Sequence, residues 1–278
     1  MRKLSLLTAA LILAGQGAQA AVNAPLSEAA SPLTYADLAD LALSSGLVAE
    51  LRIVKAERID GKAMPMPPAM RRYLVTATVT ALIRGAGGLA PQVNYLADVG
   101  ADSLGRFPKL KKANVMVFAV PVASRPGEIR LVAPDAQQIL TPALSAKVRA
   151  ILAAAANPGA PPRILRVGDA FHVPGTVTGE SETQIFLAAD DGRPLSLSIW
   201  RRPGETPRWA VSLGEIVDEG AEPPARDTLL WYRLACFLPR SLPSASVDAL
   251  DPAAAATAAE DYATVIAGLG NCPRARTR

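Results

Sequence analysis

The run SETQIFLAADDGRPLSLSIWRRPGETPRWAVSL, residues 181–213, decides what kind of fold this chain forms. Ile185 and Leu187 alternate with other neighbours, and Leu195, Leu197 and Ile199 repeat the pattern further on. A period of two marks a strand with one buried face. For both apolar rows to meet one core, Leu187 must oppose Leu195 and Ile185 must oppose Leu197. That leaves Asp190-Asp191-Gly192 as a three-residue loop, with glycine in the left-handed position after a type I turn. The aspartates then have a structural role, because Asp side chains bond nearby backbone amides in turns. The same logic sets Leu197 opposite Leu213 and Ile199 opposite Val211, around a turn at Pro203–Pro207. A slip of one residue would bring Ser212 against Leu197. Trp209 joins the apolar face, Trp200 points away, and a strand from Ile164 to Phe171 precedes the set.

Two helices should cover this meander. Asp227 is placed to cap residues 228–238, where Leu230, Leu234 and Phe237 share a side and Pro239 ends the helix. Asp251 and Pro252 open the last helix, and Gly268 or Gly270 stops it. Cys236 and Cys272 fall late in the first helix and just past the second. In an exported chain their default state is a disulfide, the alternative being two buried thiols.

Upstream, Asn157-Pro-Gly-Ala-Pro-Pro162 packs turn formers where neither ladder nor helix can run. A Pro/Gly linker at 156–162 therefore divides a unit at 31–155 from one at 163–273. In the first unit Thr34 caps a helix carrying Leu38, Leu41 and Ala42. Strands follow around Leu47–Ile53, Tyr73–Ile83, Gln92–Ala97, Val115–Val120 and Glu128–Val132. Thr76, Thr78 and Thr80 alternate with the apolar row of the second strand, while Val115–Val120 is apolar on both faces, as a central strand is. A helix over 144–155 closes the unit. The fold class expected is α+β, mainly antiparallel β.

At the N-terminus Arg2 and Lys3 precede an apolar run, Leu4–Leu13, and Ala18-Gln19-Ala20 supplies the small-x-small pattern of a cleaved signal peptide. A run of about ten residues is too short to span a bilayer, which takes about twenty. Export to a bacterial periplasm, or secretion, is the expectation, with 21–30 a disordered leader and 274–278 a disordered tail. Without Arg2 and Lys3 the chain carries 27 basic and 25 acidic residues. That balance argues against nucleic acid as a partner. Arginine and alanine are abundant, as in proteins of high-GC bacteria.

The order of the first unit, with a long strand ending in Arg84-Gly85, resembles the small open barrels of the OB type in netrin and TIMP modules. The resemblance implies an OB-like small barrel over about 46–133, followed by the meander with its two helices. The runs GESETQIFL, RWAVSLGEIVDE and RDTLLWYRLACFLP resemble a group of uncharacterised exported proteins of alphaproteobacteria, a resemblance that implies export and no particular activity.

Site chemistry centres on residues 171–192. Gly179-Glu-Ser-Glu-Thr183 departs from the G-x-S-x-G nucleophile elbow at its last position, and a strand follows where the elbow needs a helix. His172, the sole histidine, would serve a hydrolase with Ser181 and Asp169 if all three converged in the loop between two strands. Glu180 and Glu182 would form a carboxylate pair if both faced one cleft. Lys109, Lys111 and Lys112 gather charge in one loop and Trp200 offers an outward aromatic; these are the candidate binding residues. With one histidine and a cysteine pair claimed by a disulfide, no metal site or cofactor is called for. The expected function is an exported, non-enzymatic binding or accessory protein whose partner is an envelope protein or glycan; the alternative is the hydrolase.

Overall fold

Two antiparallel sheets and four helices build the protein, in a computed structural model that describes residues 33–59, 66–214 and 222–276. The expected signal peptide and leader lie outside the described residues. The first sheet comprises β1 (Leu47–Arg58), β2 (Met70–Arg84), β3 (Gln92–Gly100), β4 (Asn114–Pro121), β5 (Ile129–Leu131) and β6 (Gln137–Ile139). Its strands run in the order β3-β2-β1-β4-β5, with β6 also on β4. The sheet curls far enough for Asn94 of β3 to meet Glu128 through a single parallel bridge. Among the described residues no continuous ladder closes the ring, so the expected small barrel is here an open, curled sheet.

The curl gives the sheet an inside and an outside. Inside lie Leu51, Ile53, Val75, Ala77, Val93, Tyr95, Val115 and Val117. Met116 and Phe118 point out of the same strand and are still fully buried, against helices. This is why β4 is apolar on both faces.

Those helices are α1 (Tyr35–Ser44) and α2 (Pro142–Ala156). Thr34 caps α1 in a reciprocal box with Asp37, each side chain serving the other's backbone N–H,. Thr141 caps α2. Hydrophobic faces of both helices enter one buried cluster that continues across the Pro/Gly linker into the second sheet.

The second sheet holds β7 (Ile164–Pro174), β8 (Ser181–Ala189), β9 (Leu195–Arg201) and β10 (Arg208–Ser212), as a meander. Leu187 opposes Leu195 and Ile185 opposes Leu197, as the alternation requires. Gly192 has φ +73°, the left-handed conformation of the three-residue loop. Asp191 accepts from the Arg193 N–H and Asp190 from the Arg163 N–H, so both aspartates serve the backbone. The next hairpin departs from expectation by two residues: Val211, not Leu213, opposes Leu197, and Trp209 opposes Ile199. The shift keeps the same faces buried and places Arg208 opposite Trp200; the expected register would have set Arg208 against Arg202, a like-charge pair.

Helix α3 (Leu229–Ala235) is shorter than expected, and Thr228 caps it through the Trp231 N–H, where the sequence suggested Asp227. Asp227 instead takes a positive φ of 59°. Helix α4 (Pro252–Leu269) has Asp251 as its cap and stops at Gly270, φ +70°. Gly268 serves packing instead, since a Cβ there would lie 2.7 Å from Nε1 of Trp209. Bare backbone at this point lets α4 lie close on the sheet. Cys236 and Cys272 form the disulfide that ties the end of α3 to the segment beyond α4.

The chain end is the main correction to the sequence reading. Arg274–Arg276 do not trail free but are strapped along α1. Arg274 pairs with Asp40 at 2.8 Å and Arg276 grips Asp135 with two bonds, 2.6 and 2.7 Å. The Ala275 N–H donates to Asp37, and the Pro273 carbonyl comes within 2.9 Å of the Thr34 hydroxyl. Polar composition alone reads as disorder; these partners are some 140 to 240 residues away in sequence.

The strap sets an acid dependence. Burial works against ionisation of Asp37, but the N–H groups of Ala275, Thr34 and Arg276 and the Thr34 hydroxyl outweigh it and hold its pKa low. Arg276 does the same for Asp135. A depressed folded-state pKa contributes stability in full above the unfolded value, about 3.9 for Asp, and loses it as pH falls through the folded value. Asp135→Asn is expected to cost about 1 kcal/mol at neutral pH, since the pair is partly exposed. Melting curves from pH 6 to 2 should show the variant converging on the wild type as pH falls below about 3.9, the unfolded value; a constant gap would remove the strap's role.

Candidate functional site

Residues 171–192 form a hairpin, not a cleft. β7 runs on to Pro174, so His172 is a strand residue opposite Thr183, not a loop residue. Its Nδ1 lies 2.9 Å from the Thr183 hydroxyl, which donates its proton to Asp261 of α4 at 2.5 Å. A hydroxyl has one proton to give, so it accepts from His172, and Nδ1 carries a hydrogen. Arg201 donates to the other oxygen of Asp261 at 2.6 Å and reaches Glu260 at 3.2 Å. Thr183 and Asp261 are both 0 % exposed. A buried carboxylate satisfied by a guanidinium and a hydroxyl fastens α4 to the sheet.

The hydrolase constellation is not assembled. Ser181 shares the face of Thr183, but its hydroxyl makes no hydrogen bond among the described residues, to His172 or to another group. Asp169 is exposed where β7 bulges, between Val167 and Ala170. The acid that the histidine does reach, through Thr183, is Asp261, and no substrate can enter between them. Glu180 belongs to the turn, folded over Gly175, while Glu182 points to the outer face opposite Trp200. The carboxylates therefore do not flank one cleft.

The remaining sequence candidates are scattered. Lys109, Lys111 and Lys112 are exposed, and their loop is held by buried Leu110 and by the Lys112 N–H bonded to Ile53. Trp200 lines a hollow of about 160 Å³ with Arg202, Glu205 and Arg208, remote in sequence from the lysines. Among the described residues no cluster of three or more His, Cys, Asp or Glu is placed to hold a metal ion, and no helix is long and apolar enough to cross a membrane.

A larger feature lies at the seam between the two sheets. The end of β2, the second half of α1, the last turns of α2, the residue before β7, α3 and the C-terminal strap enclose a groove of about 810 Å³. Four arginines line it: Arg84, Arg163, Arg233 and Arg276. Arg276 is neutralised by Asp135, and Arg163 stands 4.0 Å from Asp190. Arg84 spends one N–H on the Ala42 carbonyl at the end of α1, at 3.1 Å. Arg233 has its Nε buried with no hydrogen-bond partner. Burial disfavours its charged form, and the nearby Arg163 adds to that despite the Tyr232 hydroxyl. Asp40, the carboxylate in the lining, is engaged by Arg274 and by the Tyr232 hydroxyl at 2.7 Å. Among the described residues neither Arg84 nor Arg233 forms a hydrogen bond or ion pair with a carboxylate, although Asp190 acts on Arg233 from a distance and favours its charge.

None of these arginines carried a local signal. Arg84 reads as the end of a barrel strand, Arg163 as the first residue after the linker, Arg233 as one charge on an amphipathic helix and Arg276 as tail. Only the fold brings positions so far apart in sequence to one wall. No protein-family model matches the chain, and no curated protein is similar to it in sequence.

Proposed function

We propose that the protein is an exported binding or accessory protein of the bacterial periplasm, and that the seam groove holds its anionic ligand. The observation that carries this reading is the buried, unpartnered Nε of Arg233 in a groove where Arg84 also lacks a carboxylate. An unsatisfied buried donor on a charged group costs more than about 1–3 kcal/mol. A bound anion recovers that cost, and a guanidinium offers it a planar fork of donors. The groove's volume and its position between two structural units are those of small-ligand sites. Export rests on the charged start, apolar run and Ala18-Gln19-Ala20 of the N-terminus. Among the described residues His172 makes no hydrogen bond to Ser181, its Nδ1 contact being with Thr183, which weighs against the hydrolase.

Thermal unfolding against a panel of acidic and neutral compounds tests the reading. An acidic ligand at a hundred times its Kd adds about 2.7 kcal/mol, a rise of roughly 5–10 °C for a domain of this size. Arg84→Met with Arg233→Met should abolish the rise, and His172→Ala should leave it intact. Loss of the response in His172→Ala alone would return attention to the hairpin.

A further inference from the structure

We propose that the ligand of the seam groove is a small amphipathic anion, a single carboxylate or phosphate head on an apolar chain. This rests on the groove being the ligand site and goes on to its chemistry. The charge available is small. With Arg276 held by Asp135 and Arg163 beside Asp190, the lining cations left for a ligand among the described residues are Arg84 and Arg233. Two guanidiniums suit one acidic head; a polyanion would find the other two already matched.

The rest of the wall is aliphatic and aromatic. Leu41, Leu43, Ile83, Val132 and Leu152 line it, and Phe237 stands at it 46 % exposed, edge-on to Tyr232 at 5.3 Å. Leu43, Ile83, Val132 and Leu152 pack from here onto the main core, so the groove floor is the outer skin of that core. An inorganic anion would neutralise the arginines and leave this apolar surface wet. Burying a chain there adds about 25 cal/mol for each Å² removed from water. A sugar fits less well. Beyond the arginines the side chains offering polar atoms are Asp40, Ser44 and Tyr232, and the Tyr232 hydroxyl and Asp40 are bonded to each other. Few donors and acceptors remain for a ring of hydroxyls.

Titration calorimetry on the purified protein separates the parts of this proposal. The probes are dodecanoate and dodecyl phosphate below their micelle concentrations, dodecanol, acetate and inorganic phosphate. Dodecanoate or dodecyl phosphate should bind at least 100-fold more tightly than acetate or inorganic phosphate, and the preferred head identifies the source. Arg233→Met should weaken that binding at least tenfold, and Arg233→Lys by less. Leu152→Asn should weaken the chain-bearing probes alone, and unchanged circular dichroism would show that each variant folds. Equal affinity for acetate, phosphate and the chain-bearing acids would overturn the amphipathic ligand and leave the anion site standing. Binding of dodecanol as tightly as dodecanoate, unaffected by Arg233→Met, would overturn the anion site itself. Binding of none of the probes would overturn the proposal, and the panel of acidic compounds described above would then decide the anion site separately.

Discussion

Arg201→Met is expected to destabilise the protein by about 3–5 kcal/mol, the cost of leaving a buried charge without its partner. Asp261 is 0 % exposed and takes the Arg201 Nε at 2.6 Å on one oxygen and the Thr183 hydroxyl on the other. Methionine keeps the length of the arginine stem and removes the counter-charge. The pair joins β9 to α4, so its loss also loosens the helix that covers the sheet. Exposed Glu260, the second partner of Arg201, cannot substitute. Urea unfolding at neutral pH measures the loss. Arg201→Met combined with Asp261→Leu should recover much of it, because removing both charges takes away the desolvation cost along with the attraction. A loss under about 1 kcal/mol in the single variant, or no recovery in the double, would mean that the Arg201–Asp261 pair does not fasten α4 to the sheet.

Opening the disulfide is expected to cost about 3–4 kcal/mol in the chain-entropy description of a loop of this length. Cys236 and Cys272 are 36 residues apart, and the loop between them contains all of α4. The bond also anchors the strap: Arg274 follows Cys272 by two residues, and Arg276 both grips Asp135 and lines the groove. Cys236→Ser with Cys272→Ser should therefore lower Tm by roughly 6–16 °C and weaken ligand binding in the groove without touching a groove residue. Differential scanning calorimetry with and without reductant gives the first number. An unchanged melting point on reduction would show that the α3–α4 pair stands without its staple.

The two hairpins show how far a one-dimensional pattern reaches. The loop at 190–192 was legible in full, register included, because glycine and two aspartates leave one turn geometry open to it. The loop at 203–207 was legible only in parity. Alternation says which face is buried, and a shift of two residues leaves that face unchanged. Cross-strand neighbours, here Arg208 against Trp200, then choose between the registers. Caps behave in the same way: Thr34, Asp251 and Gly270 stand where local rules put them, and Asp227 yielded to its neighbour Thr228.

By itself the sequence determined the α+β class, the antiparallel strands, their buried faces and the cysteine pair, because each follows from contacts between residues close in the chain or from simple alternation. The tertiary structure decided the strap at the C-terminus, the burial of Asp261 behind Thr183, and the meeting of Arg84, Arg163, Arg233 and Arg276 in one groove. Those arrangements rest on charge pairs and packing between residues far apart in the chain, and the composition around an isolated arginine does not reveal which distant carboxylate, if any, it will meet.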